Sequence, residues 1–317
     1  MKFMGLTEKK ILMLAPMAGV TDLAFRALCA EYGADYAVTE MVSAKAVCFG
    51  DKKTAALARL YEGERAAIQI FGSEPYYMAK AAESLLQYGP VAIDINMGCP
   101  VPKCVKSGEG SALMKNPVLC GEIVAAVRSA VNVPVTVKLR TGFDSAHKNA
   151  VEVALRTEEA GASLICVHGR TREQMYTGSA ETETIAAVKK AVSVPVIANG
   201  DVVDGDSALA MLKATGCDGI AIGRGAMGKP WVFAEVAAAL AGKEYVSPAN
   251  DEKYAVLCRH LTHMAELKGE YPAILEARKH LSWYSKGLHG SASVRRLANT
   301  VTTLGEAIEV AKMIFPH

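Results

Sequence analysis

The sequence has almost no net charge and no long apolar segment. It carries 35 Lys and Arg against 33 Asp and Glu, a formal charge of +2, so no strong global field indicates a nucleic-acid partner. No run of about 18 apolar residues occurs, which argues against a membrane-spanning helix. Near the N-terminus, Pro16 and the helix start at Thr21-Asp22 predict a strand that enters a helix rather than a signal peptide. The composition, 51% apolar and 21% charged, is typical of a soluble globular enzyme.

The cysteines lack the paired spacing of a disulfide framework or a metal site. They are scattered through the chain, at positions 29, 48, 99, 104, 120, 166, 217 and 258. In a chain of 317 residues this pattern predicts reduced thiols and a cytoplasmic protein. Cys99 and Cys104 form a C-x4-C pair, but no second pair lies close enough in sequence to complete a four-ligand site. We therefore expect no metal.

Short β-branched runs do recur along the chain, each followed by turn residues and a helical pattern. They predict eight strands, at 11–16, 34–40, 66–72, 91–98, 133–140, 163–169, 194–200 and 219–225. The helical patterns between them fall at 22–32, 76–88, 117–131, 148–160, 182–192 and 205–215. Eight such repeats are typical of an α/β fold whose parallel strands close into a (β/α)8 TIM barrel. A doubly wound open sheet would carry a G-x-G-x-x-G turn after its first strand, whereas PMAGVTD stands there.

We predict that the barrel occupies residues 1–243 and that a smaller C-terminal α-helical domain occupies 247–317. Segments 251–268 and 273–288 have amphipathic helical patterns; in the second, the apolar positions are Ile274, Ala277, Leu281, Tyr284 and Leu288. The basic residues of this region include Arg278, Lys279, Lys286, Arg295 and Arg296. A basic stripe suits a phosphate backbone, but an ordinary solvated helix face has the same pattern.

Nearly every predicted strand ends in polar or turn-forming residues, and in a barrel the C-terminal strand ends form the reactive face. These residues are Pro16, Met17, Ala18, Glu40, Gln69, Asn96, Cys99, Lys138, Arg140, His168, Arg170, Asn199, Gly200, Asp201, Gly223 and Arg224. Glycines around Arg224 after the last strand are typical of a phosphate cradle. The amides of Gln69 and Asn96 suit the edge of a planar heterocycle. Together they predict a bound mononucleotide such as FMN.

Cys99 comes directly after an apolar strand, where the backbone has just left the core. A free thiol with a pKa of about 8.5 is mostly protonated at neutral pH and can act as a general acid. Pro100 favours an extended backbone at Cys99. The following segment contains Gly108 and Gly110, and we expect it to form a mobile loop in which Cys104 is a bystander.

Seven motifs between residues 14 and 225 resemble those of the tRNA-dihydrouridine synthase family, most closely its bacterial B-type branch. In chain order they are LAPMAGVTD, QIFG, DINMGCP, VKLR, VHGRT, NGD and IGRG. The segment 278-RKHLSWYSKGLHG-290 is similar to the C-terminal region of that branch. The resemblance implies an oxidoreductase in which NADPH transiently reduces bound FMN, hydride passes to C6 of a flipped-out tRNA uridine, and Cys99 protonates C5.

The resemblance also implies the site residues. Flavin contacts would be Pro16, Met17, Ala18, Gln69, Lys138, His168, Asn199, Gly200, Asp201, Gly223 and Arg224. Contacts with uracil or phosphate would be Asn96, Arg140, Arg170 and Tyr176. From its charge we expect Lys138 to stabilise the anionic reduced flavin ring. The tail cations would contact tRNA.

Three other functions are compatible with parts of this pattern. An FMN barrel similar to dihydroorotate dehydrogenase would act on a free pyrimidine, although the basic tail argues against it. An aldolase-type barrel would use Lys138 as a Schiff base. An RNA chaperone without catalysis would bind tRNA, but the presence of Cys99, Lys138 and His168 argues against it. The sequence does not determine the modified position, the preference for NADPH over NADH, or an oligomeric state beyond a default monomer.

Overall fold

The centre of the molecule is a closed parallel β-barrel; the computed structural model describes residues 9–316. The strands are β1 (Ile11–Leu14), β2 (Tyr36–Val38), β3 (Val42–Ser43), β4 (Ala66–Phe71), β5 (Ala92–Met97), β6 (Val135–Arg140), β7 (Leu164–His168), β8 (Val196–Asn199) and β9 (Gly219–Ile222). Each strand from β4 to β9 pairs in parallel with the next, β9 pairs with β1, and β1 pairs with β2. Pairing of β2 with β4 closes the ring of eight. The predicted (β/α)8 barrel is confirmed.

The second position of the barrel is interrupted, which the sequence pattern did not indicate. The strand expected over 34–40 is the short β2, and β3 continues the pairing with β4 after a break. At the break the Thr39 hydroxyl accepts the Gln69 N–H and donates to the Glu40 carbonyl. A side chain therefore replaces part of the backbone ladder. The Glu40 carboxylate accepts the N–H of Gly19, in the loop after β1.

Period-two alternation gives the barrel two apolar layers. Along β1, Leu12 and Leu14 belong to the layer between strands and helices, whereas Ile11 and Met13 belong to the barrel interior. Fully burying one such side chain contributes about 1.5–3 kcal/mol. Closure requires a small residue in β9, because a Cβ at Gly219 would lie 2.3 Å from the Ile11 carbonyl oxygen.

Within the described residues, ten helices lie around the barrel or in its connecting loops. They are α1 (Leu23–Glu31), α2 (Ala44–Cys48), α3 (Lys52–Ala56), α4 (Pro75–Leu85), α5 (Pro102–Lys106), α6 (Pro117–Ala130), α7 (Ala150–Glu159), α8 (Glu183–Ala191), α9 (Gly205–Thr215) and α10 (Val232–Leu240). Short 3-10 helices occur at Leu86–Tyr88, Gly110–Lys115 and Arg224–Ala226. A side-chain cap marks the start of α1, where the Asp22 carboxylate accepts the Phe25 N–H at 2.9 Å. No helix within residues 9–316 is long and apolar enough to cross a membrane.

The C-terminal region is helical, as predicted. It consists of α11 (Asn250–Lys268), α12 (Glu270–Tyr284), α13 (Ser291–Ala298) and α14 (Leu304–Ile314), which share one apolar cluster. That cluster includes Leu28 of α1 and Trp231, which join it to the barrel. The helix expected over 273–288 ends at Tyr284, and Leu288, expected on its apolar face, is 40% exposed.

Candidate active site

Cys99 stands beyond the carboxyl end of β5, and its backbone is held from two sides. The Asn96 carboxamide oxygen accepts the N–H groups of Gly98 at 3.1 Å and Cys99 at 2.9 Å. The Cys99 carbonyl accepts the N–H and the hydroxyl of Ser111, at 3.1 and 2.9 Å. A Cβ at Gly110 would lie 2.8 Å from that carbonyl oxygen, so only glycine permits the approach. Cys99 is 9% exposed, which leaves the thiol nearly buried.

The segment after Cys99 is not the loop expected from its glycines. It contains α5 and the 3-10 helix Gly110–Lys115. Gly108 and Gly110 adopt φ values of +75° and +60°, so they serve as turn points between two short helices. Cys104 is buried in α5. Burial, and then the neighbouring Cys99, raise the pKa of Cys104 to about 12, which keeps this second thiol protonated.

His168 ends β7 as a neutral ring, and its Nε2 has no hydrogen-bond partner among residues 9–316. Its Nδ1 lies 3.0 Å from the Asn199 carboxamide oxygen, and the Asn199 amide donates to the Ala221 carbonyl at 2.7 Å. The amide orientation assigns the proton to Nδ1 and makes Nε2 an acceptor. Burial, with the nearby cations Lys138, Arg140 and Arg170, lowers the pKa of His168 to about 2.

Lys138 lies in β6, opposite Asn96 of β5 in the strand register. Within residues 9–316 its ammonium makes no hydrogen bond or ion pair. Burial is the main cause that lowers its pKa, and Arg140 lowers it further, while Cys166 and Asp94 act in the opposite direction. A cation without a protein partner at the mouth of a barrel is suited to an anionic or electron-rich ligand.

Arg140 and Arg170 direct their donors at backbone carbonyls of the segment 171–178. Arg140 donates to the carbonyls of Thr171 (2.8 Å), Met175 (3.0 Å) and Gly98 (2.8 Å). Arg170 donates to the carbonyls of residues 177 and 178 at 3.1 and 2.6 Å. Both guanidinium groups are buried. They shape the loop that follows β7.

Asp201 links two arginines at the end of β8. Arg170 donates to one of its carboxylate oxygens at 2.6 Å and Arg224 donates to the other at 3.1 Å. Partial burial acts to raise the pKa of Asp201, but these cations and the Ala180 N–H hold it below its usual value. The Tyr176 ring is 54% exposed and lies 4.9 Å from the Arg224 guanidinium carbon and 5.9 Å from that of Arg140. An exposed aromatic face between two cations suits a planar ring.

The remaining predicted cofactor residues lie in loops at the same end of the barrel. Pro16 and Met17 are partly buried and Ala18 is exposed, in the loop after β1. A Cβ at Gly223 would lie 3.6 Å from the Met17 sulfur, which brings the loops after the first and last strands together. Gly200 has a φ of +140°.

The tail cations differ in their surroundings. Arg278 donates twice to the Val301 carbonyl, at 3.2 and 2.8 Å, and Lys279 donates to the Gly19 carbonyl at 2.5 Å. Lys286, Arg295 and Arg296 are exposed. Lys279 therefore connects α12 with the loop after β1, and the other three side chains are open to solvent.

Asp94 is a buried polar residue of the site that the strand pattern did not predict. This carboxylate lies in the middle of β5, 3% exposed, and accepts the Gln69 amide at 2.7 Å and the Thr136 hydroxyl at 2.5 Å. The signal was the alternation of Asp94, Asn96 and Gly98 along one face of the strand, which the apolar neighbours obscured.

The residues at the barrel mouth fit a flat heterocycle that carries a phosphate. The buried polar atoms without a hydrogen-bond partner within residues 9–316 include the His168 Nε2 and one Arg170 terminal nitrogen, which both belong to strand ends at this mouth. Lys138 is equally without a partner, and Gly200, Gly223 and the half-exposed Arg224 offer backbone and guanidinium donors nearby. In the same part of the chain, no group of three or more His, Cys, Asp or Glu is arranged to hold a metal ion.

Comparisons with curated proteins give close relatives over most of the chain. The tRNA-dihydrouridine synthase B of Pseudomonas putida is 44% identical over 298 residues, covering 93% of this chain and 88% of the relative. That of Shewanella oneidensis is 46% identical, covering 87% and 86%. That of Vibrio parahaemolyticus is 42% identical over 320 residues, covering 100% of this chain and 99% of the relative.

A solved structure supports the fold and a family model supports the family. The histamine dehydrogenase from Rhizobium sp. 4-9 superposes with a TM-score of 0.58 at 12% identity, over 96% of this chain and 62% of that one; at that identity the likeness concerns the barrel fold alone. The family model described as dihydrouridine synthase matches residues 13–315. The resemblance and the expected class of oxidoreductase are confirmed, and the chain belongs to the dihydrouridine synthase family.

Proposed function

We propose that this protein reduces a uridine of tRNA to 5,6-dihydrouridine, with FMN as bound cofactor and NADPH as transient reductant. The family match over residues 13–315 carries the proposal. Relatives named tRNA-dihydrouridine synthase B support tRNA as the substrate. The site chemistry is consistent with it, because saturating a C=C bond requires one hydride and one proton, and Cys99 offers a proton.

The candidate cofactor residues divide by chemistry. Gly200, Gly223 and Arg224 would hold the phosphate, since backbone N–H groups and a guanidinium fork suit that anion. Pro16, Met17 and Ala18 would lie along the ring, with Gln69, Lys138, His168, Asn199 and Asp201 at its polar edges. When bound in its reduced form, the flavin would supply the hydride for C6 of the uracil ring, with NADPH as the reductant.

Lys138 and Cys99 have separate roles in this proposal. The Lys138 ammonium stabilises negative charge at the cofactor edge, and its partial desolvation strengthens that interaction. Cys99 holds a proton on its sulfur and transfers it to C5. The backbone bonds from Asn96 and Ser111 fix the position from which the thiol acts. Tyr176, and the guanidinium groups of Arg140 and Arg170 that shape its loop, would meet the uracil or its neighbouring phosphates.

A uridine reaches the barrel mouth only if it leaves its stack. We assign residues 1–243 to cofactor binding and chemistry, and 247–317 to orienting the tRNA. The exposed Lys286, Arg295 and Arg296 suit phosphate contacts, while Arg278 and Lys279, which already hold carbonyls, would contribute charge from within the helical packing. We assign the protein to the cytoplasm and take a monomer only as the default state.

The test uses tRNA transcribed without modifications. The protein, FMN and NADPH are incubated with it, and dihydrouridine is measured by mass spectrometry after digestion. We expect product with the intact protein and a rate lower by about 10²–10⁴ with Cys99→Ala, the usual cost of removing a general acid. Cys258→Ala, which removes a half-buried thiol in α11, is the matched control and should retain the rate.

Two outcomes would contradict the proposal. Oxidation of NADPH without dihydrouridine, together with turnover of a free pyrimidine, would favour the dihydroorotate dehydrogenase-like alternative. Equal rates for Cys99→Ala and the intact protein would remove the assigned proton donor.

A further inference from the structure

A buried acid lies beneath the candidate site without a role in the proposed chemistry. Asp94 faces the barrel interior from the middle of β5, two residues before Asn96 and five before Cys99. Its register partners are Gln69 of β4 and Thr136 of β6, and both donate to it. Burying a carboxylate is costly, which makes its presence in the barrel informative.

Hydrogen bonds run in one direction from the backbone of Cys99 down to Asp94. The Cys99 N–H donates to the Asn96 oxygen at 2.9 Å, the Asn96 amide donates to the Gln69 oxygen at 2.8 Å, and the Gln69 amide donates to Asp94 at 2.7 Å. Each carboxamide could be turned over in isolation. Here both ends of the hydrogen-bond chain are fixed. At one end the Cys99 backbone N–H can only donate, and at the other end, two amides away, the Asp94 carboxylate can only accept.

The direction of the chain does not depend on the charge of Asp94. Burial raises the pKa of Asp94, while the bonds from Gln69 and Thr136 and the charge of Lys138 act to lower it. A protonated Asp94 can place its hydrogen on the oxygen that faces Thr136, since a hydroxyl accepts as well as donates. The other oxygen still accepts from Gln69.

We propose that Asp94 is a positioning residue, which sets the orientation of the Gln69 and Asn96 amides and thereby holds the Cys99 backbone in place for proton transfer. The inference rests on the proposed function for its catalytic consequence. The arrangement of the Cys99 backbone itself is independent of that function. Loss of the acceptor would release Gln69 to turn over, and the Asn96 amide would then face a donor.

The experiment compares variants that keep or remove the acceptor. Asp94→Asn retains an oxygen for Gln69 and can donate to Thr136, whereas Asp94→Leu has a similar size and no acceptor. The first readout is the rate at which iodoacetamide alkylates Cys99, measured by peptide mass spectrometry without tRNA or NADPH. We expect Asp94→Leu to raise this rate at least threefold by loosening the backbone. Asp94→Asn and the control Thr136→Val should stay within about twofold of the intact protein.

The second readout is dihydrouridine formation. We expect Asp94→Leu to lower kcat at least tenfold with KM for tRNA within about twofold, since the exposed tail cations proposed to hold the tRNA backbone are unchanged. Asp94→Asn should keep kcat within about threefold. If no protein forms dihydrouridine, the proposed function fails while the alkylation rates still decide the positioning role.

A reversed pair tests the direction even if Asp94→Leu does not fold. Gln69→Glu alone places the new carboxylate opposite that of Asp94, so that two acceptors face each other. This variant should raise the rate of Cys99 alkylation. Combined with Asp94→Asn, whose amide can donate to the new carboxylate, it should return the alkylation rate to within about twofold of the intact protein. Unchanged alkylation in Asp94→Leu and Gln69→Glu, or equal losses in Asp94→Asn and Asp94→Leu, would overturn the inference.

Discussion

At the residue scale, Lys138 illustrates a conflict between stability and chemistry. Its pKa is lowered in the folded protein. Between this folded-state pKa and the ordinary lysine pKa of 10.5, the unfolded chain binds more protons than the folded one, so stability rises with pH over this range. At neutral pH the folded protein carries the desolvation penalty of a half-buried cation that has no hydrogen-bond partner within residues 9–316, only partly offset by Cys166 and Asp94. We expect Lys138→Met to stabilise flavin-free protein by about 0.5–2 kcal/mol and to abolish most dihydrouridine formation. Urea unfolding at pH 7.5 and 9.5 measures the first effect.

Lys138→Arg provides the matched comparison. A guanidinium remains charged over this pH range. The stability of this variant should therefore not rise between pH 7.5 and 9.5, and it should not show the increase expected for Lys138→Met, in which the charge is removed. A Lys138→Met protein less stable than the intact one would show that the ammonium contributes net stability through Asp94.

The positions of the residues at the strand ends could be predicted from sequence, but the directions of their side chains could not. Cys99, His168 and Asn199 lie at the barrel mouth because the strand pattern and a turn determine where a chain leaves the core. The contacts of Arg140 and Arg170 with a ligand remain a prediction, but several of their donors also meet backbone carbonyls. Only the path of the chain at 171–178 determines which donors these carbonyls occupy.

At the scale of elements, the segment 171–178 depends on those two guanidinium groups. A lysine keeps the charge but cannot donate to two or three carbonyls in a fixed plane. We expect Arg140→Lys and Arg170→Lys to accelerate amide hydrogen exchange in this segment at least tenfold, equivalent to about 1.4 kcal/mol and within the range of lost hydrogen bonds to charged groups. Hydrogen exchange with mass spectrometry measures it. Arg156→Lys on the exposed face of α7 should leave the segment unchanged, and equal protection in all variants would contradict the prediction.

The regular elements followed from alternation of apolar residues, whereas the irregular ones depended on single side chains. The six predicted helices around the barrel begin and end close to their expected positions because the apolar spacing is regular, and side-chain caps mark the starts of α1, α6 and α9. β2 ends early because the Thr39 hydroxyl takes the Gln69 N–H, and no periodicity reports such a bond. Gly108 and Gly110 suggested a loop, yet a glycine with positive φ also joins two short helices.

For the whole molecule, a histidine pair lies where the helical region meets the barrel. The rings of His260 and His280 are 4.5 Å apart, and His260 stacks on Phe25 of α1 at 5.4 Å. Burial lowers the pKa of His260 to about 4, with Lys268 and His263 lowering it further and Asp22 opposing them. Burial, His260, Lys279 and Lys268 lower that of His280. The contact between the helical region and the barrel is therefore built around two neutral imidazole rings.

Acid should weaken this junction. Below the ordinary histidine pKa of about 6.5 the two histidines bind protons in the unfolded chain but remain neutral in the folded protein. Their contribution to stability is therefore complete above about pH 6.5 and falls as the pH approaches the pKa values of the folded state. We expect the pair to cost roughly 2 kcal/mol per ring between pH 7.5 and 5, measured by urea unfolding. His260→Phe and His280→Phe together should flatten this pH dependence, because an aromatic ring keeps the packing without titrating. As a control, changing the exposed His289 to Gln should leave the pH dependence of stability unchanged. If the double variant retains the full loss of stability at pH 5, groups elsewhere cause it, and the junction does not respond to acid.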